Sequence, residues 1–224
     1  MTVLIIVAHP DDEILGCGGT AACLAKKGHE IYTLILGEGI TSRFKKRSAK
    51  KAALQVKKIR EMAVSANKII GVKKVFFSGL PDNRFDSCDL LDIVRIIEKK
   101  KEEVRPDIIF THYEKDLNID HQITYKAVIT ATRPTEHETV REIYASEVLS
   151  STEWNFPLSF SPDVFFDIQG TLALKLKALG IYKSEIRSFP YPRSLEGVKY
   201  NAAVWGMKTG LRYAEAFKCV RVIK

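Results

Sequence analysis

The sequence predicts one α/β domain over residues 1–224, with a mostly parallel sheet and helices on both faces. Three features point to it. Apolar runs rich in β-branched residues recur at 3–8 (VLIIVA), 31–36 (IYTLIL) and 108–111 (IIFT), as strands buried on both faces require. Segments of helical periodicity lie between them, the alternation that builds parallel sheets. Turn residues stand at the joins, notably Gly28, Gly71 and Pro106.

The elements follow in order. After the first strand a helix is expected over about 14–27, with Gly28 at its C-terminal cap. Strand 31–36 leads into Gly37-Glu38-Gly39. A long basic helix over about 47–70 ends at Gly71, a third strand covers 75–78, and residues 80–84 (LPDNR) form a loop. In 90–104, Leu90, Leu91, Val94 and Ile97 share one helical face, and Pro106 stops the helix before strand 108–111. Residues 121–132 read as a helix closed by Arg133-Pro134, and 142–148 alternates like a half-buried strand. The aromatic stretch 150–162, with Trp154, Phe156 and Phe160, is loop-like and a candidate lid or substrate wall, with core or a subunit contact as the alternative. A short strand at 164–168, helices at 171–182 and 195–207, and a last strand at 217–223 complete the chain.

Composition narrows the class. With 224 residues, 46% hydrophobic and 28% charged, the chain is ordinary globular protein, which excludes disordered, collagen-like and disulfide-stapled classes. Run 3–8 is too short to span a bilayer, and nothing basic precedes it as a signal peptide would require. Cys17, Cys23, Cys88 and Cys219 show no C-x-x-C spacing, so a cytoplasmic protein with reduced thiols is expected. The net charge of +8 permits an anionic partner without identifying one. The basic runs 43–51 and 99–101 read as solvated helix faces, and with no nucleic-acid-binding motif no such partner is expected.

The chemistry concentrates in Ala8-His9-Pro10-Asp11-Asp12-Glu13, directly after the first strand. Ligands of open α/β sheets bind beyond the carboxyl ends of strands, where strand order reverses. Neighbouring Asp11 and Asp12 repel in a partly buried turn, and a cation relieves that cost. Taken alone, Asp-Asp-Glu suits a helix N-terminus equally well. His9 and the position after strand one favour the ligand site. A second segment, Asp116-Leu117-Asn118-Ile119-Asp120-His121, follows strand four. If strands one and four flank the switch point, His121 arrives beside His9 and Asp12, and two imidazoles with one carboxylate leave a catalytic metal an open position. Asp120 is either the partner of His121 or an N-cap.

These segments resemble the LmbE-like, or PIG-L, family of zinc-dependent de-N-acetylases. Gly37-Glu38-Gly39, Lys177-Ala178-Leu179, Tyr182-Lys183-Ser184-Glu185 and Tyr213-Ala214-Glu215-Ala216-Phe217 look like further family features. The resemblance implies a Rossmann-like fold, one divalent metal per chain (usually zinc, with other divalent ions possible), and hydrolysis of an N-acyl group on an amino sugar or its conjugate. It makes a homo-oligomer plausible. Carried across, His9, Asp12 and His121 match the metal ligands and Asp11 the general base. Family members commonly have a histidine where this chain has Asn118, which donates a hydrogen bond but shuttles no proton. His112, ending strand four, is a candidate for the missing imidazole. Glu13 is expected to orient a ligand or cap the helix.

Arg43, Asp82, Arg84 and Arg133 are candidate substrate contacts, with ordinary surface loop residues as the alternative for each. A nucleotide- or phosphate-binding module is the competing function, suggested by Gly16-Cys17-Gly18-Gly19. A full G-x-G-x-x-G is missing, and the acidic loop occupies the position a phosphate would take.

Overall fold

The first strand, β1 (Thr2–Val7), is buried almost throughout because its side chains alternate between two cores. Val3, Ile5 and Val7 enter one, and Leu4 and Ile6 the other. The computed structural model describes residues 1–43 and 49–224, without the side chains of 43 and 49–51. After β1 come α1 (Asp12–Lys26), β2 (Glu30–Gly37), α2 (Ala49–Ile69), β3 (Lys74–Leu80), α3 (Leu90–Val104), β4 (Ile108–His112) and α4 (Ile119–Ala131). β5 (Glu142–Ser146), β6 (Val164–Asp167), α5 (Leu172–Leu179), α6 (Leu195–Thr209) and β7 (Ala214–Val222) follow. Short 3-10 turns cover Thr41–Arg43, Phe85–Ser87 and Thr152–Trp154.

The sheet order is β3-β2-β1-β4-β5-β7-β6. β3, β2, β1, β4 and β5 pair in parallel, while β7 runs antiparallel to both neighbours. This is the expected α/β class, with the switch point between β1 and β4. α3 and α4 cover the face carrying Leu4, Ile6, Leu34 and Ile109, through Ile93, Ile97 and Val128. α1, α2 and α5 cover the other through Leu15, Ile59 and Leu179. None of the described helices is long and apolar enough to cross a membrane.

Three elements differ from expectation, the first two for one physical reason. α1 is broken at Cys17, whose φ of −143° and ψ of 16° are not helical. The freed N–H groups of Gly19 and Thr20 donate to the Glu215 carboxylate at 2.9 and 2.7 Å. Glu215 in turn accepts from Lys175 Nζ at 2.6 Å, and Lys175 also donates to the Leu15 carbonyl at 2.7 Å. Lys175 and Glu215 are buried, so a charged pair caps the second half of α1 from inside the protein. β7 therefore begins at Ala214, ahead of its apolar run, to carry Glu215 inward. α5 stops at Leu179, and 180–194 runs on without regular structure apart from turns.

Candidate active site

β1 and β4 are adjacent and parallel, with Val3 opposite Ile108, so both release their loops at one edge of the sheet. There His9, Asp12 and His121 each offer a ligand atom within 4.8 Å of the others. Asp12 Oδ2 lies 3.4 Å from His9 Nδ1 and 3.2 Å from His121 Nε2. Asp12 Oδ1 is buried without a hydrogen-bond partner among the described residues. The outward nitrogens face carboxylates: His9 Nε2 is 2.9 Å from Asp120 Oδ2, and His121 Nδ1 is 3.1 Å from Asp116 Oδ1. Asp116 accepts from the hydroxyls of Ser151 and Thr152, and Asp120 from the Phe85 N–H at 2.9 Å. Imidazoles with one nitrogen turned inward and the other held by a carboxylate form the donor set of a divalent transition metal.

The charges agree. Burial lowers the basicity of His9 and His121, but Asp12 with Asp120 and Asp116 outweighs it, holding them up at about 10 and about 9. Burial likewise opposes ionisation of Asp12, and His121 and His9 overcome it, placing that carboxyl well below its usual range. The cluster thus demands positive charge, which an ion supplies on displacing protons from the imidazoles.

Asp11 stands beside this set in the left-handed region, at φ 99°, and is buried. Its Oδ2 accepts from Arg193 Nη1 at 2.8 Å. Burial pushes Asp11 up to about 7 while the guanidinium pulls it down. Glu13 is also buried; its Oε2 accepts the Asp11 N–H at 3.0 Å, and its Oε1 accepts from Asn67 Nδ2 and Tyr182 Oη at 2.8 and 2.5 Å. Burial pushes this carboxyl up to about 8 against the pull of the Tyr182 hydroxyl. The loop needs Gly39 at its side: with φ 76° a Cβ there would sit 2.3 Å from Pro10 Cδ.

A cavity of about 120 Å³ opens over these groups, walled also by Asp82, Asn83, Asn118, Glu185 and Arg193. Asn118 is the N-cap of α4, its Oδ1 accepting the Asp120 N–H at 2.8 Å and its Nδ2 donating to Asn83 Oδ1 at 3.0 Å. Asp82 Oδ2 accepts from the Ser42 N–H and hydroxyl at 2.9 and 2.5 Å.

Other expected residues lie elsewhere. His112 is fully buried behind His121, its ring stacked on that imidazole at 3.9 Å and its Nε2 accepting the Ala8 N–H at 2.8 Å. Burial holds it down at about 3, a neutral ring outside the cavity wall. Asp120 pairs with His9 and not with its neighbour His121, whose partner is Asp116. Arg84 is exposed and Arg133 lies 4.0 Å from Glu98 beyond the far end of α4, so neither belongs to the cavity. The side chain of Arg43 lies outside the described residues. Arg193, Glu185 and Asp116 complete the site without having been expected. Asp116 left a signal as the first acid of the segment that ends in His121, and Glu185 as the end of the Tyr182-Lys183-Ser184-Glu185 feature; Arg193 left none.

Comparison with known proteins bears on the whole chain. The sequence profile of the GlcNAc-PI de-N-acetylase family, PIG-L, matches residues 4–132, which contain both acidic segments. The uncharacterized deacetylase YaiS of Escherichia coli is 29% identical over 81% of this chain and 90% of its own length. The diacetylchitobiose deacetylase of Thermococcus kodakarensis is 27% identical over 97% of this chain and 82% of its own. Among solved structures, the 4-carboxy-2-hydroxymuconate hydratase GalB of Pseudomonas putida superposes with a TM-score of 0.76 at 22% identity, covering 100% of this chain and 98% of its own. That likeness shows the fold alone.

Proposed function

This chain belongs to the PIG-L family, and on that premise we propose that it is a divalent-metal hydrolase removing the N-acetyl group from an N-acetylglucosamine-type sugar or its conjugate. The observation that carries the proposal is the pairing of two carboxylate-held imidazoles and Asp12 with a separate buried acid, Asp11, at one cavity. His9, Asp12 and His121 would hold one ion, zinc being the best fit to two imidazoles and a carboxylate. When bound, such an ion acidifies a water and polarises the acyl oxygen.

The protein's own groups do the rest. Asp11 takes a proton from the attacking water and returns it to the departing amine nitrogen. Arg193 favours the ionised form of Asp11 in which that transfer begins. Asn118 offers its remaining amide hydrogen to the developing oxyanion, its orientation fixed by the α4 cap. Asp82 accepts from a sugar hydroxyl. His112 braces Ala8 and His121 and moves no proton. The diacetylchitobiose deacetylase relative supports an N-acetylated amino sugar as substrate. The competing nucleotide-binding function finds carboxylates where its phosphates would sit.

The test is amine release from a panel of N-acetylated sugars and conjugates, with metal analysis of the same samples. Wild-type protein should carry about one metal per chain, and His9→Ala and His121→Ala should lose metal and turnover together. Asp11→Asn should keep the metal and lose about 100-fold or more in kcat, the scale of a general base. Turnover that survives complete metal removal, or an Asp11→Asn variant at wild-type rate, overturns the proposal.

A further inference from the structure

We propose that Glu13 is a positioning residue that sets the backbone of Asp11 and thereby aims the carboxylate that moves the proton. It rests on Asp11 being the general base. An acid in the first turn of a helix ordinarily faces the helix N–H groups or solvent. Glu13 instead folds back onto the N–H of the residue two before it, at 3.0 Å, and its side chain is fully buried. Asp11 adopts φ 99°, a region that non-glycine residues occupy only when their surroundings enforce it. Its N–H is thereby turned inward, where it needs an acceptor, and Glu13 Oε2 is that acceptor.

The other carboxylate oxygen is anchored independently. Asn67 Nδ2 reaches Glu13 Oε1 at 2.8 Å. The Asn67 amide cannot turn round, because Nδ2 also donates to the Ala63 carbonyl at 2.9 Å and Oδ1 accepts from Thr33 Oγ1 at 2.8 Å. Tyr182 Oη supplies the third contact, 2.5 Å from Oε1. Glu13 therefore ties the Asp11 backbone to α2 and β2 through Asn67 and to the turn after α5 through Tyr182. Three groups converge on two oxygens, an arrangement a carboxyl group satisfies and a carboxamide does not. A glutamine would set its NH2 against either the Asp11 N–H or the Asn67 amide.

The experiment is Glu13→Gln, read in two ways. In metal-free, 15N-labelled protein the wild-type Asp11 amide should be protected from hydrogen exchange, and in the variant it should shift and exchange faster. In metal-loaded protein, kcat should fall about 10- to 100-fold with KM within about two-fold of wild type and metal content retained, because small misplacements of a reacting group cost on that order. An Asp11 amide unchanged in shift and exchange overturns the proposal. So does a kcat within about two-fold of wild type, or a loss that only tracks lost metal. Should Glu13→Gln fail to fold, Tyr182→Phe carries the test. Removing one of the three hydrogen bonds should shift the Asp11 amide and lower kcat on the order of three-fold. If a folded Tyr182→Phe protein leaves both unchanged, the proposal falls. If the wild-type protein hydrolyses no N-acetylated sugar, the proposed function fails, while the amide measurement still decides whether Glu13 sets Asp11.

Discussion

Replacing Arg193 with Met should move the acidic limb of the pH–rate profile upward by roughly one to two pH units. Arg193 Nη1 is 2.8 Å from Asp11 Oδ2, and Asp11 is only 1% exposed, so bulk water screens the contact little. A hydrogen bond to a charged group contributes about 1.5–3 kcal/mol, and one pKa unit corresponds to about 1.4 kcal/mol, which gives the size of the shift. Its sign follows from the pair. Burial already pushes Asp11 up to about 7 against the pull of Arg193, and loss of the guanidinium raises it further. The base works when ionised, and about half of it is ionised at pH 7 in wild type, so turnover near pH 7 should fall by about 5- to 50-fold and recover in alkaline buffer. The same group acts on stability in metal-free protein. Its folded pKa lies above the ordinary 3.8, so its stabilising contribution is present in acid and is lost as pH rises through about 7. In Arg193→Met that loss extends to higher pH. Initial rates between pH 5 and 10 with matched metal loading, together with thermal melts of the metal-free protein, measure both effects. Profiles that superimpose after scaling to their maxima would show that Arg193 does not control the charge of Asp11.

Further changes test the supporting shell. Asp116→Asn should weaken metal affinity by about 10- to 100-fold, measured by competition with a chelator, because His121 loses the carboxylate opposite its Nδ1. Lys175→Met leaves the buried Glu215 carboxylate without its charged partner. It should cost about 3–5 kcal/mol in denaturant unfolding, with metal stoichiometry preserved if the variant folds. Gly39→Ala forces a methyl group into Pro10 and an unfavourable φ onto alanine. It should destabilise the protein by about 1–3 kcal/mol and lower metal affinity, whereas Gly28→Ala, with no atom near its Cβ, should leave metal affinity alone.

Which of these features the sequence discloses depends on whether the cause is local. Strands such as 3–8 and 108–111 are legible because burial on two faces writes an uninterrupted apolar run. His9, Asp12 and His121 are legible because they follow the two strands that flank the switch point. The partner of His121 is not. Asp120 adjoins it in sequence, but successive residues of a helix point about 100° apart, so within α4 the two side chains cannot face each other. Asp120 turns to His9 on the neighbouring loop, while Asp116, still outside the helix, meets the far nitrogen of His121. Arg133 looks close to His121 only along the chain, since a helix of 13 residues places its ends about 20 Å apart. Arg193 leaves no trace at all: it lies in an irregular segment, and its role exists only through a carboxylate 182 positions away.

The acid density of the first loop, its most conspicuous oddity as sequence, has a three-part physical answer. Asp11 is paired with a guanidinium, and Glu13 with three neutral donors from separate elements. Asp12 alone is surrounded by imidazoles, with Oδ2 shared among them and the His9 N–H, and Oδ1 buried and unpartnered among the described residues. Adjacent carboxyl groups can be buried together only if each is answered separately, by a partner or by a proton. Two are answered by the protein itself. The third is answered by protons on His9 and His121, which a divalent ion can displace, and the protein leaves one oxygen of Asp12 free to complete that exchange.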